Sequence, residues 1–230
     1  MSKDVVVLSA VRSAVGTFAG ALSGLEPGDL AGRVMKEAVA RSGVAAADIN
    51  YVTVGNCIPT ESHFAYVARI ASIQAGLPME SVAMAVNRLC SSGLQAIVSS
   101  AQAIMLGDCE YGIGGGVEVM SRAAYMLPTL RSGARMGNTP AIDMMVDTLT
   151  DPFGVGHMGV TAENLATKWN ISREEQDAFA LESQVRAARA IAEGRFKSQI
   201  VPIVQQTRKG DVVFDTDEHP RATTMEALAK

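Results

Sequence analysis

Residues 81–107 read SVAMAVNRLCSSGLQAIVSSAQAIMLG, and the reading of this stretch decides the fold. It opens with small apolar residues, Ala83, Ala85 and Val86, as a strand buried on both faces would. A sharp turn follows, and then Leu94, Ile97, Val98, Ala101, Ile104 and Met105 recur at helical spacing. Ser91 or Ser92 is suited to cap the helix start, and Gly93 leaves room for close approach of backbone or ligand. Gly107 and Asp108 supply a stop. Strand, turn and helix thus set Cys90 immediately before a helix N-terminus. Unpaired N–H groups and the positive end of the helix dipole stabilise an anionic sulfur there, and the thiolate is a nucleophile. Position alone leaves two readings of Cys90 open: a covalent catalyst, or the small buried hydrophobe that a free cysteine commonly is.

The same alternation extends outward. Residues 5–8 are expected to form a short buried strand, followed by a loop rich in Gly and Ser up to residue 28. A helix is expected over residues 29–42, with Leu30, Val34, Met35 and Ala38 inward and Gly43 ending it. Residues 51–55 read as a strand, and 64–75 as a helix stopped by Gly76 and Pro78. After the strand at 82–86 and the helix at 91–106, a further strand at 111–114 runs into Gly114-Gly115-Gly116. This is the pattern of a layered α/β fold with a mostly parallel sheet covered on both faces. Its functional crevice is expected at the carboxyl ends of the strands, where Cys90 lies. The glycine triplet lacks the lysine of a phosphate loop and the spacing of a dinucleotide fingerprint, and reads as tight backbone packing.

Residues 120–158 show no clear period, which in a compact domain usually marks a functional stretch or one ordered by partners. Helices are expected at 161–168 and 172–193, the second opening on a capping box from Ser172 to Glu175 and ending at Gly194. Residues 200–204 and 212–214 read as a hairpin across Arg208-Lys209-Gly210-Asp211, followed by a polar tail.

The 230 residues are 48% hydrophobic, enough for a sizeable core, and carry a net charge of −4 with only 5% aromatic residues. Acidity and scarce aromatics argue against nucleic acid as a partner. No apolar run is long enough to be expected to span a bilayer, and the N-terminal apolar stretch meets Arg12 too soon for a secretory leader. Cys57, Cys90 and Cys109 form no CxxC pair and are odd in number, which suits a reducing compartment without disulfides. The expected location is the cytoplasm. No His, Cys or carboxylate pair has metal-ligand spacing, so no metal is expected.

In order along the chain stand VVVLSAVRSAVGTFAGAL from residue 5, NRLCSSGLQAI around Cys90, GGGVEVMSRAAYML from Gly114, ARMG at 134–137, HMGVTAEN at 157–164, SREEQDAFALESQ from Ser172, and RKGDVVFDTDEHPR ending at Arg221. Together these segments resemble the thiolases, specifically bacterial acetyl-CoA acetyltransferases and the broader β-ketothiolases. The resemblance covers essentially the whole chain. It implies that residues 1–119 are most of the first βαβαβαβ-type half, lacking its last strand. Residues 120–230 would be most of an inserted, mostly helical loop domain that covers coenzyme A and mediates tetramer contacts.

The resemblance implies further that Cys90 is the nucleophile of a ping-pong reaction joining acetyl-CoA and an acyl-CoA into a 3-ketoacyl-CoA. No cofactor is implied beyond the coenzyme A thioesters as substrates, and the complete protein is implied to be a homodimer or homotetramer. His157 is implied to line the acyl and pantetheine pocket as a binder rather than a base, with Met158 beside it. Leu149 is implied to touch coenzyme A, where the residues alone read as loop packing. Arg221 is implied to contact its nucleotide end, as a guanidinium suits, where the residues alone read as a solvated tail charge. Cys57 and Cys109 are expected to pack, and His63 and His219 to be ordinary surface or helix-start residues. The family's activating His in a GHP motif, its second Cys in a CxGGG-type motif and its Asn in a NEAF motif do not occur in these residues. This chain by itself is therefore expected to be inactive or nearly so. A non-catalytic module binding coenzyme A or mediating assembly is the alternative. Ser91 departs from the commoner Cys-Gly-Ser-Gly, and ESHFAYVARIA at 61–71 departs from the more usual NPARQAA, which bears on acyl-chain length.

Overall fold

The computed structural model describes residues 4–208 and 210–230. The elements of the first part of the chain are β1 (Arg12–Ser13), α1 (Pro27–Ser42), β2 (Ile49–Gly55), α2 (Val67–Gln74), β3 (Val82–Val86), α3 (Ser92–Leu106) and β4 (Tyr111–Gly116). There follow β5 (Tyr125–Met126), β6 (Ile142–Asp143), α4 (Met144–Thr148), β7 (Thr150–Asp151), β8 (Gly156–His157), α5 (Met158–Trp169) and α6 (Arg173–Ala192). The chain closes with β9 (Ile200–Val201), β10 (Ile203–Thr207), β11 (Gly210–Phe214) and α7 (Met225–Leu228). Two compact units result. One comprises the chain up to Ala124 with Gln199–Asp215, and the other Tyr125–Ser198 with Thr216–Lys230. The break expected after residue 119 thus lies at Ala124, and Gln199–Asp215, expected with the later part of the chain, folds with the first unit.

The first unit is built on a parallel sheet in the order β3-β2-β4. Tyr51 pairs with Val82 on one side, and Gly55 pairs with Val86 and Gly116. The alternation of side chains along a strand gives β2 two buried faces. Val52 and Val54 join Met35 and Val39 of α1 and Ala68 and Ala71 of α2 in the main apolar core. Thr53 points the other way and accepts a hydrogen bond from Ser100 of α3 at 3.2 Å. Pro27 suits the first turn of α1, where its missing N–H costs nothing, and Gly43 ends that helix in the left-handed region.

α3 lies close on the sheet because glycines admit it. A Cβ on Gly55 would stand 2.5 Å from the backbone of Ser92, and one on Gly114 would stand 2.5 Å from Cα of Ile97. The packing role read for the glycine triplet is thus realised at Gly114. The face that α3 turns to the sheet is Ser92, Ala96, Ser100 and Ala103, whereas Leu94, Ile97, Val98 and Met105 are exposed. Close approach selects small residues for the covered face and leaves the larger apolar ones outward. Residues 89–106 also have a mean hydropathy of 1.3, enough by length and composition to cross a membrane, against the expectation from sequence. The 15 residues of α3 span only about 22 Å, less than the ~30 Å of a bilayer core, and their small-residue face is taken by the sheet.

Residues 5–8 belong to no strand, and Val6 and Val7 are 71% and 77% exposed. An apolar run becomes a strand only where a neighbouring backbone offers a ladder, and no described strand lies beside it. Residues 200–204 split: β9 pairs in parallel with β1, Arg12 opposite Ile200, and β10 forms the hairpin with β11. The hairpin turn expected at 208–211 includes Lys209, outside the described residues. Gln199 accepts from the Arg12 guanidinium at 3.2 Å, and the Arg33 guanidinium donates to the Val204 carbonyl at 2.8 Å, which ties this segment to the first unit.

In the second unit the irregular stretch resolves into small pieces. β5 pairs with β6, β7 with β8, and Asp143 caps α4. The capping box of α6 is formed in both directions, Glu175 N–H to Ser172 Oγ at 3.1 Å and Ser172 N–H to Glu175 Oε2 at 2.8 Å.

Candidate active site

The carboxyl ends of β2, β3 and β4 lead into Asn56-Cys57, Asn87 to Cys90, and Val117-Glu118. After Val86 the chain must turn sharply to start α3, and Leu89 takes φ +51° to do so. For a branched, non-glycine residue this left-handed conformation costs about 1–3 kcal/mol. Hydrogen bonds hold it. The Leu89 N–H donates to Asn87 Oδ1 at 3.0 Å. The Ser92 hydroxyl donates to the Leu89 carbonyl at 2.6 Å and accepts from the Arg88 N–H at 2.8 Å. Neither serine caps α3 with its side chain as expected: Ser91 is the N-cap residue without a side-chain bond, and Ser92 ties back into the turn. Cys90, directly before Ser91, is exposed.

Glu118, which sequence reasoning passed over, and Cys57, which it read as packing, complete the arrangement. Glu118 accepts from the Asn56 side-chain amide at 2.9 Å, the Cys57 N–H at 2.9 Å and the Ile58 N–H at 3.0 Å. Burial pushes its carboxyl up, and the N–H donors of Ile58 and Cys57 offset part of that. Glu118 therefore fixes the loop after β2 beside the turn after β3. Cys57, expected only to pack, donates its S–H to the Leu89 carbonyl at 3.1 Å and lies 3.1 Å from Ser92 Oγ. Cys109 is buried, in keeping with the packing expectation. A carboxylate two residues past a glycine run was the available signal for Glu118, but its partners lie about sixty residues away in sequence.

The other expected site residues belong to the second unit. The structure brings three of them together: Met158 N–H donates to the Leu149 carbonyl at 2.9 Å, and His157 pairs with Thr150 across β7 and β8. His157 is the N-cap of α5, its Nδ1 accepting from the Gly159 N–H at 3.1 Å. A neutral imidazole so engaged carries its proton on Nε2, leaving a donor for a ligand. Arg221 is exposed, and its backbone N–H donates to Gln184 Oε1 on α6 at 2.8 Å. Among the described residues no group of three or more His, Cys, Asp or Glu is placed to hold a metal ion.

The site is thus an exposed thiol on a strained, braced turn, at the end of a parallel strand and the start of a helix of an α/β fold. The profile of the family described as "Thiolase, N-terminal domain" matches residues 5–230, and the chain belongs to that family. It is 53% identical over 221 residues to the beta-ketothiolase BktB of Cupriavidus necator, covering 96% of this chain and 56% of that protein. It is 47% identical to the acetyl-CoA acetyltransferase of Pseudomonas aeruginosa, covering 99% and 58%. Among solved structures it matches the Bacillus anthracis acetyl-CoA acetyltransferase at a TM-score of 0.94 and 44% identity, covering 99% of this chain and 58% of that one. Human mitochondrial 3-ketoacyl-CoA thiolase matches at 0.93 and 37%, covering 97% and 57%. The chain thus spans somewhat over half the length of the relatives it matches.

Proposed function

We propose that Cys90 is the acyl-carrying nucleophile of an acyl-CoA C-acetyltransferase that reversibly joins acetyl-CoA and an acyl-CoA into a 3-ketoacyl-CoA. The observation that supports this most is the exposed thiol of Cys90 on the strained turn before α3. In the first half-reaction the sulfur attacks the thioester carbonyl, the C–S bond to coenzyme A breaks, and the acyl group passes to Cys90. In the second, a carbanion from acetyl-CoA attacks the acyl-enzyme carbonyl and releases Cys90. In this reading Leu149, Met158 and the Nε2 donor of His157 contact the pantetheine and acyl portions, and Arg221 meets the nucleotide end.

These residues supply the thiol but not the His and second Cys that the family resemblance assigns to activating it and moving the α-proton. Groups that act as a cooperative unit leave only a residual rate when some are missing. This chain alone is therefore expected to show no appreciable thiolysis of acetoacetyl-CoA with coenzyme A, and robust turnover would overturn that reading. Incubation with acetyl-CoA followed by mass spectrometry tests the nucleophile itself. An acetyl group on Cys90, adding about 42 Da, is expected, and its loss in Cys90→Ala. Acetylation at Cys57 or Cys109 instead would remove Cys90 from the role. The exposed apolar residues of α3 favour a second reading, an assembly module. Association that persists unchanged in Cys90→Ala, with no acetylation of the parent chain, would support it.

A further inference from the structure

Cys57 is a second thiol at the same end of the sheet, and the proposed reaction makes no use of it. The loop after β2 brings it to the turn that carries Cys90. Its S–H is 3.1 Å from the Leu89 carbonyl oxygen, and that carbonyl belongs to the peptide joining Leu89 to Cys90. Planar peptide geometry then places Cys57 Sγ within about 6 Å of Cys90 Cα. The two thiols also feel each other electrostatically. Closing a disulfide from there requires rotation of the exposed Cys90 side chain and a shift of its turn, since bonded cysteines have their Cα atoms about 4.4–6.8 Å apart. Accessibility sets an order of events. Cys90 is exposed, Cys57 half-buried and Cys109 buried, so a diffusing oxidant meets Cys90 first. Glu118 holds the backbone of Cys57 and Ile58 in place, so the second thiol is fixed rather than free to search.

We propose that Cys57 is a resolving thiol for Cys90, so that an oxidant of the peroxide class converts the pair into a reversible Cys57–Cys90 disulfide. The Cys90 sulfur attacks one peroxide oxygen, the O–O bond breaks, and sulfenic acid and water result. The Cys57 sulfur then attacks the Cys90 sulfur, the S–O bond breaks, and the oxygen leaves as a second water with the Cys57 proton. Two electrons pass from the two sulfurs to one peroxide, and a dithiol reductant reverses the change. The disulfide spares Cys90 from irreversible sulfinic acid. That this suspends acyl transfer rests on the reading of Cys90 as nucleophile; the bond itself does not.

The test is exposure of the reduced protein to hydrogen peroxide, followed by intact mass and non-reducing peptide mapping. The expected result is a mass lower by about 2 Da, a linked peptide pair containing Cys57 and Cys90, and full reversal by dithiothreitol. Cys57→Ser is expected to accumulate sulfinic acid at Cys90, about 32 Da heavier, several-fold faster than the parent protein. Sulfinic acid at Cys90 of the parent without a linked peptide would overturn the proposal, as would Cys90 linked to Cys109 or to a second copy. Mapping of the parent decides even where the variant does not fold. Acetyl-CoA labelling of the reduced protein separates the two readings. A disulfide without acetylation overturns only the nucleophile, and acetylation without a disulfide overturns only the resolving thiol.

Discussion

At the scale of single residues, the turn that carries Cys90 depends on the hydrogen bonds of its neighbours. Ser92 is 4% exposed and its hydroxyl serves both Arg88 and Leu89. Ser92→Ala leaves the Arg88 N–H without its partner and is expected to lower unfolding free energy by about 1–3 kcal/mol, read by urea denaturation. An unchanged midpoint would mean that Asn87 alone holds the turn. Glu118 makes a prediction with a sign. Its carboxyl is raised in the folded state by burial, so it favours folding most below the unfolded value near 4.5 and loses that contribution as pH rises through the folded value. Glu118→Gln keeps one acceptor oxygen and costs about 1 kcal/mol where the second is lost. The stability gap between the parent and Glu118→Gln is therefore expected to narrow as pH rises from the unfolded value near 4.5 through the higher folded one. Glu61 behaves oppositely. Paired with the Arg122 guanidinium at 2.6 and 2.8 Å, its carboxyl is lowered first by that hydrogen bond. Its contribution is present above the unfolded value and lost as pH falls through the folded one. A gap to Glu61→Gln that fails to shrink on acidification would contradict this. The position of Cys90 before α3 was legible because strand, turn and helix are local patterns. Glu118 and Cys57 were not, because their partners come from other strands and nothing local marks them.

At the scale of elements, the parallel βαβ arrangement was legible because short apolar strands and capped helices alternate along the chain. Which face of α3 is covered was not legible. Hydrophobic periodicity points to Leu94, Ile97 and Val98, yet the sheet takes Ser92, Ala96, Ser100 and Ala103. The deciding quantity is distance between backbones, and its signal lay in the glycines of the opposing strands rather than in the helix. Gly114→Ala tests this. Its Cβ would meet Cα of Ile97 at 2.5 Å and the Ala96 carbonyl at 2.8 Å, and backbone cannot swing aside as a flexible side chain does. A loss of about 3 kcal/mol is expected, whereas Gly115→Ala, with nothing within 4 Å of the added carbon, is expected to cost far less. Equal losses in thermal or urea unfolding would mean that close approach of α3 is not what glycine serves at 114. The strand expected at residues 5–8 failed for a related reason: apolar character specifies a wish for burial, but a strand also needs a backbone partner, and local sequence does not say where that partner is.

At the scale of the whole molecule, the distribution of apolar surface governs behaviour in solution. The first unit exposes Val6, Val7 and Leu8 together with the outward face of α3, and the second exposes Phe153, Trp169 and Phe179. Apolar patches of this kind are rare on monomeric proteins, and an apolar extended segment outside any sheet invites pairing with another chain. This chain is expected to associate at micromolar concentrations, with a weight-average mass in light scattering that rises with concentration. A monodisperse monomer across the range would contradict it. Substitution locates the surface responsible. Leu94 is 67% exposed on α3, so Leu94→Lys removes little packing and should leave stability within about 0.5 kcal/mol, while a charge on the face opposes apolar contact. If α3 provides the contact, Leu94→Lys shifts the mass toward monomer with the unfolding midpoint unchanged. If the mass stays and Phe179→Lys shifts it instead, association runs through the second unit, and the outward face of α3 is not where copies of this chain meet.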